Sequence, residues 1–289
     1  MEFLNIEKVK NISSIGGGPI GGGWTAFFLS KGYNVKSYLH EPKEKKLFMK
    51  IVKTAWKSLK KLGLAKNASL NNLSVTCDLK KSLEGSHFVQ ESAPEKLELK
   101  QDLYYEMGEI LPKNIIISSS TSGFMMTDIQ KKCNSPERTI IGHPFNPPYI
   151  LPLVEIVGGQ KSSKLAVEWA YDFYKSSGKE PLKLKKEIPG FVATRLQEAL
   201  WREALHMVDN GEASPEDIDI ALINGPAPRM VIQGQCMAFH VACGEGGMAT
   251  NLDQFGPALK WPWTRLKAPE LTSESVSYTH LTLPTNREV

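Results

Sequence analysis

Val9-Lys-Asn-Ile-Ser-Ser-Ile15, then Gly16-Gly-Gly18-Pro-Ile-Gly21, then an apolar run to Leu29: this order of segments decides the fold of the first half of the chain. The first segment reads as a short buried strand. The second fits G-x-G-x-x-G, and the third is a helix closed by Gly32. Tyr33 to Tyr38 supplies a second strand, so residues 9 to 38 have the length and order of a βαβ unit. The glycines let the backbone approach a pyrophosphate, and the helix behind them offers free N–H groups and a positive dipole end. Gly16, Gly18, Pro19, Ile20 and Gly21 are therefore the candidate cofactor-binding residues of this loop.

Working outward, an amphipathic helix runs to Gly63, with Leu47, Ile51, Trp56, Leu59 and Leu62 interleaved among lysines that form a solvated face. Further strands are expected at Leu73 to Thr76, His87 to Glu91, Ile115 to Ser119 and Thr139 to Gly142. Helical patterns such as Pro94 to Ile110 separate them. Strands alternating with helices predict an α/β fold, a Rossmann-type doubly wound parallel sheet. Beyond Pro189-Gly190 the pattern becomes helical: Phe191 to Val208 reads as one amphipathic helix, and Ser214-Pro215-Glu216-Asp217 as the capped start of another. The expected organisation is a NAD-binding domain over 1–187, a C-terminal all-helical domain over 188–271, and a Ser- and Thr-rich tail over 272–289 that does not continue the helical period. The tail reads as a cloning scar or sequence junction, with a natural disordered tail as the alternative, and is set apart from the functional reading.

The 289 residues carry 35 basic and 31 acidic side chains, an excess too small to point to nucleic acid. No segment reaches the roughly 20 consecutive apolar residues that span a bilayer. Cys77, Cys133, Cys236 and Cys243 form no C-x-x-C pair, which fits a reducing compartment. The expectation is a cytoplasmic protein with no nucleic-acid or membrane partner and no metal. The acid that reads the ribose in NAD-binding folds ends the second strand, about 20 residues past the glycines. That position is Leu39, where an Asp would reach the ribose hydroxyls. Glu41 is the nearest substitute, while His40 and Lys43 would suit a 2′-phosphate instead; NAD is the favoured cofactor.

Ser122, His143 and Asn146 follow apolar strands and should emerge at strand C-termini, where open α/β sheets bind ligands. Glu155 stands alone in the apolar segment 151–157, where a carboxylate is costly unless paired. A carboxylate that holds an imidazole fixes its tautomer and stabilises its protonated form, as a base taking a hydroxyl proton requires. Each residue also has a structural reading: His143 as a core histidine, Ser122 as a helix cap, Glu155 as half of an ion pair.

SSSTSG (118–123), GHPFNPPYILPLVEIVGG (142–159), EIPGFVATRLQEALWREALH (187–206) and QESAPEKLELKQDL (90–103) resemble the 3-hydroxyacyl-CoA dehydrogenase superfamily. Within it they resemble the branch acting on L-carnitine more closely. The resemblance covers residues 9 to 271. It implies His143 as catalytic base, Glu155 as its partner and Ser122 as a donor to the substrate oxygen, with Glu95, Lys100 and Asn146 near the nicotinamide. It also implies NAD-dependent oxidation of a 3-hydroxyl and a homodimer formed through the helical domain. Where the superfamily has Asn or Asp four residues after Pro-Gly, this chain has Thr194, a shorter and uncharged donor. At Gly225-Pro-Ala-Pro-Arg229 two prolines stiffen a loop that is Gly-x-Gly elsewhere. A quaternary ammonium would call for aromatic faces, for which Phe145, Trp201, Trp261 and Trp263 are candidates, and its carboxylate for Arg195, Arg202 or Arg229. A 3-hydroxyacyl-CoA or L-gulonate dehydrogenase, or a catalytically silent crystallin-like protein, are the alternatives.

Overall fold

A computed structural model describes residues 2–260 and Thr264. Trp261, Trp263 and the 272–289 tail lie outside the described residues. The chain divides into two compact units, Met1–Thr194 and Arg195–Val289.

The first unit alternates strands and helices: β1 (Asn11–Ile15), α1 (Pro19–Ser30), β2 (Asn34–Tyr38), α2 (Lys45–Leu62), β3 (Leu73–Thr76), α3 (Leu79–Leu83), β4 (Phe88–Glu91), α4 (Leu97–Ile110), β5 (Ile116–Ser119), α5 (Met126–Ile129), β6 (Thr139–Pro144), β7 (Leu153–Gly158), α6 (Lys164–Ser176) and β8 (Glu180–Lys183). The strands form one eight-stranded sheet in the order β3-β2-β1-β4-β5-β6-β7-β8. All neighbours are parallel except β6 and β7. The order reverses between β1 and β4, so a crevice opens at the strand C-termini beside the glycine loop.

Local chemistry accounts for these elements. The central strands are buried on both faces. Each opens or centres on apolar residues such as Phe88, Val89, Ile116, Ile117, Ile140 and Ile141 and carries buried polar residues, Gln90, Glu91, Ser118, Ser119 and His143, toward the C-terminal end. Helix α1 is apolar on every side because its residues from Gly21 to Ser30 are all buried. Helix α2 is one-sided: Phe48, Val52, Ala55, Trp56 and Leu59 face inward at helical spacing. Burying each of the larger ones contributes about 1.5–3 kcal/mol. Gly63, at φ +104°, ends α2 in a conformation that favours glycine.

Three boundaries differ from the sequence reading in an informative way. Helix α4 begins at Leu97 and not at Pro94, because residues 92–96 form the turn that leaves β4. Strand β8, not anticipated, is an edge strand with three of its four residues exposed, so it shows no apolar run. Phe191 is not part of the following helix. It adopts φ +52°, is completely buried and packs with the first unit's core, while the helix starts two residues later.

The second unit is helical throughout its described residues: from α7 (Ala193–Asp209), which begins within the first unit, through α8 (Pro215–Asn224), α9 (Ala227–Met230) and α10 (Gln235–Ala242) to α11 (Gly247–Phe255). Ser214 and Asp217 form the reciprocal capping box at the start of α8, and of the two prolines of the 225–229 segment Pro226 is the N-cap of the short α9 and Pro228 lies in its first turn. The four cysteines are free thiols. No helix among the described residues is long and apolar enough to cross a membrane, and no cluster of metal-ligating side chains occurs among them.

Candidate active site

The antiparallel pairing of β6 with β7 sets His143 directly opposite Glu155. Directly opposed residues of a sheet share a face, so register alone brings the two side chains together. His143 Nδ1 lies 2.9 Å from Glu155 Oε2. The other carboxylate oxygen, Oε1, accepts the backbone N–H groups of Val192 (2.8 Å) and Ala193 (2.9 Å). Glu155 is 0% exposed, and burial alone would raise its pKa. The His143 hydrogen bond and the two backbone donors outweigh that and hold it below the ordinary carboxylate value.

The donors arrive by a strained turn. Gly190 (φ +71°) and Phe191 (φ +52°) reverse the chain after β8, and a left-handed phenylalanine costs on the order of 1–3 kcal/mol. Burial of its ring offsets that cost: the Phe191 centroid sits 5.4 Å from that of His143, and Phe145 lies at 5.5 Å on another side. The imidazole, 6% exposed, is thus fixed at one nitrogen and enclosed by rings. Nε2 is its unengaged nitrogen among the described residues.

Ser122 lies in the exposed turn three residues beyond β5, the parallel neighbour of β6, so Ser122 and His143 leave adjacent strand ends. That turn is held by Glu95, whose Oε1 accepts from Gly123 N (3.1 Å) and from the Thr121 hydroxyl. Asn146 is exposed in the turn after β6, before a cis Asn146–Pro147 bond. Lys179, buried, clamps the same segment by donating to the Pro148 and Leu151 carbonyls. Burial, then the nearby Lys31, lowers its pKa to about 7. Thr194 is half-buried near the start of α7. Phe145 packs beside the imidazole as described, whereas Trp201 is exposed on α7, as are Arg195, Arg202 and Arg229 in the second unit.

Lys100 proves to be an interior residue, 1% exposed. Its ammonium pairs with Glu91 (2.7 Å) and Glu95 (3.5 Å) and donates to the Ala93 carbonyl. Glu91, buried at the end of β4, also accepts from Ser119 Oγ (2.6 Å) and Ala93 N (2.6 Å). This network ties the turn after β4 to the serine turn after β5. The sequence reading missed Glu91, although a Gln90-Glu91 pair ending a buried strand was its signal. It missed the turn at Phe191 as well, which follows a Pro-Gly.

The glycine loop fits a dinucleotide. A Cβ on Gly16 would collide with the Ser92 carbonyl, and one on Gly21 with the Gly16 carbonyl, so these two close the turn. Gly18 is different: a Cβ there would meet nothing within 4 Å, because it faces open space. Gly18 is also the uncapped N-cap of α1, with Pro19 in the first turn, leaving helix N–H groups available to an anion. A cavity of about 890 Å³ opens here, lined by the loop, Tyr38, His40, Glu44 and the Ser92–Pro94 turn. Glu41 does not line it. Its carboxylate is turned to Lys43 at 2.5 Å in solvent, and that ion pair also occupies the lysine considered for a 2′-phosphate.

Comparison with known proteins agrees with this arrangement. The model of the 3-hydroxyacyl-CoA dehydrogenase NAD binding domain matches residues 11–188, and that of the family's C-terminal domain matches 190–289. The chain is 50% identical over 267 residues to an L-carnitine dehydrogenase of Nocardiopsis dassonvillei, covering 92% of this chain and 81% of that one. An L-carnitine dehydrogenase of Streptomyces coelicolor is 50% identical over 268 residues, covering 93% and 84%. Among solved structures, a 5-formyl-3-hydroxy-2-methylpyridine 4-carboxylic acid 5-dehydrogenase superposes with a TM-score of 0.77 at 25% identity, covering 94% of both chains. A dinucleotide loop at the sheet's switch point and a histidine–carboxylate pair on β6 and β7 thus occur in a chain that belongs to the 3-hydroxyacyl-CoA dehydrogenase family and is an NAD-dependent 3-hydroxy acid dehydrogenase.

Proposed function

We propose that this enzyme oxidises the 3-hydroxyl of L-carnitine to the ketone, with His143 as general base. The observation that carries the chemistry is the His143–Glu155 pair. The substrate rests on the relatives, which act on L-carnitine and match along most of both chains. NAD, when bound, takes up the hydride released from the carbinol carbon. The chain's own residues handle the proton. Glu155 keeps hydrogen on Nδ1, so Nε2 presents its lone pair to the hydroxyl. As the proton arrives, the buried carboxylate stabilises the imidazolium, and no other group need move. Ser122 donates to the substrate oxygen as it becomes a carbonyl. Glu95, held by Lys100, and Asn146 flank the nicotinamide end.

The expected result in a spectrophotometric screen is NADH formation with L-carnitine, well above that with 3-hydroxybutyryl-CoA or L-gulonate. Turnover restricted to the acyl-CoA would reassign the substrate, and cofactor binding without turnover of any of them would favour the crystallin-like alternative.

The assembly proposed is a homodimer formed through the helical unit, in the cytoplasm. Helix α7 buries only Ala204 and leaves Leu196 (65% exposed), Leu200, Trp201, Leu205 and Val208 open. Exposed apolar side chains clustered on one helix mark an interaction surface, and a second copy presents the same one. Light scattering at micromolar concentration should give twice the monomer mass, also for protein ended after Leu271; a monomer in both would refute the dimer.

A further inference from the structure

In this fold the second strand ordinarily ends in an acid that holds the adenosine ribose, and in this chain that place is taken by Leu39. Leu39 is 0% exposed within the main core, and its Cδ2 would lie 2.8 Å from a Cβ on Gly17. No carboxylate can be supplied there without burying a charge among apolar side chains. The function must move elsewhere or be lost.

We propose that Glu44 is the residue that binds the ribose hydroxyls of NAD and selects against a 2′-phosphate. The turn Pro42–Glu44 folds the chain back over the glycine loop before α2 begins. There, Glu44 Oε2 accepts the His40 backbone N–H at 3.2 Å and would lie 3.1 Å from a Cβ on Gly17. The carboxylate is therefore anchored by one oxygen against the middle glycine of the loop. Among the described residues it forms no ion pair, which leaves Oε1 to accept from a ligand. Glu44 lines the same cavity as Gly16, Gly18 and Tyr38, whereas Glu41, three residues nearer to the usual place, is turned away to Lys43.

The chemistry matches a vicinal diol. A carboxylate accepts from both hydroxyls at once, whereas a phosphate on the 2′ oxygen would bring like charge against it. The rest of the lining agrees with this choice: Glu98 and Glu106 stand against Lys96, the one lysine of the lining, while the Asp102 carboxylate is paired with Lys132. The sign of the cavity disfavours the additional anion.

The assignment depends on NAD as cofactor and not on the identity of the substrate, so binding without substrate tests it. NADH and NADPH are titrated into the full chain by fluorescence, for the parent, Glu44→Gln and Glu41→Gln. Glutamine preserves size and can still accept the His40 N–H. Loss of charge-assisted bonds to the diol should weaken NADH by roughly 10- to 100-fold in Glu44→Gln. NADPH should hold or gain, so the preference for NADH falls by about tenfold or more. Equal weakening of both cofactors would mean that Glu44 only shapes the loop, and would overturn the proposal. An unchanged preference, or a larger shift in Glu41→Gln, would overturn it as well.

Discussion

Glu155→Gln should lower kcat by about 10³- to 10⁴-fold, the scale seen when the carboxylate orienting a catalytic histidine becomes an amide. The reason is geometric. Oε1 accepts two backbone N–H groups, from Val192 and Ala193, and only an oxygen can fill that place. Glutamine must therefore turn its –NH₂ toward His143, where the carboxylate now accepts from Nδ1. An –NH₂ facing Nδ1 makes that nitrogen the acceptor and moves the ring hydrogen to Nε2. The base is then in the wrong tautomer, and its imidazolium has lost its counter-charge. The glycine loop lies on other strands, so NADH should bind as before, which steady-state rates and a binding titration together establish. Stability gives a second readout. A carboxylate held below its ordinary value in the folded state adds stability that is present above the unfolded pKa and lost as pH falls through the folded one. The variant should lose part of that acid dependence in melting curves. Undiminished turnover would remove Glu155 from the mechanism.

The sheet was legible because short runs rich in Ile and Val alternate with helical patterns, and because glycines, a proline and a helix follow β1 in the order that a dinucleotide loop demands. Residues 73–76 fall as a strand where the apolar pattern puts them. Strand β8 was not legible: an edge strand carrying Pro181 and a lysine has no second covered face to impose a pattern. The helix expected from Phe191 was displaced for a related reason. Periodicity counts Phe191 among the apolar residues of α7, yet its ring is claimed by the core around His143, at the cost of a left-handed backbone.

At the site, His143 and Glu155 could be nominated from the cost of a lone acid in an apolar strand. Their direct opposition depends on β6 and β7 being antiparallel, and sequence does not state pairing direction. The resemblance placed Lys100 near the nicotinamide, but nothing local in its helix reveals that Glu91 awaits it in the interior. Spacing nominates Glu41 and gives no signal for Glu44, because a single turn of 3₁₀ helix decides which carboxylate returns to the glycines. What was hidden in each case is a contact made by residues distant in sequence or by a backbone reversal.

The most direct test is the rate of NADH formation from L-carnitine by the parent chain and His143→Gln in parallel, with NADH binding measured on the same samples. Removal of a positioned base costs about 10²- to 10⁴-fold, and here nothing nearby can replace it: the enclosing groups are Phe145, Phe191 and the already engaged Glu155. Glutamine can still donate to Glu155 through its –NH₂, but its amide takes up no proton near neutral pH, so only the role of the base is lost. The loss should lie in kcat, with NADH affinity intact, since His143 leaves β6 while the cofactor loop lies between β1 and α1. The account predicts robust turnover in the parent and its loss in a variant that still binds NADH. Equal rates of carnitine oxidation in the two proteins would contradict it.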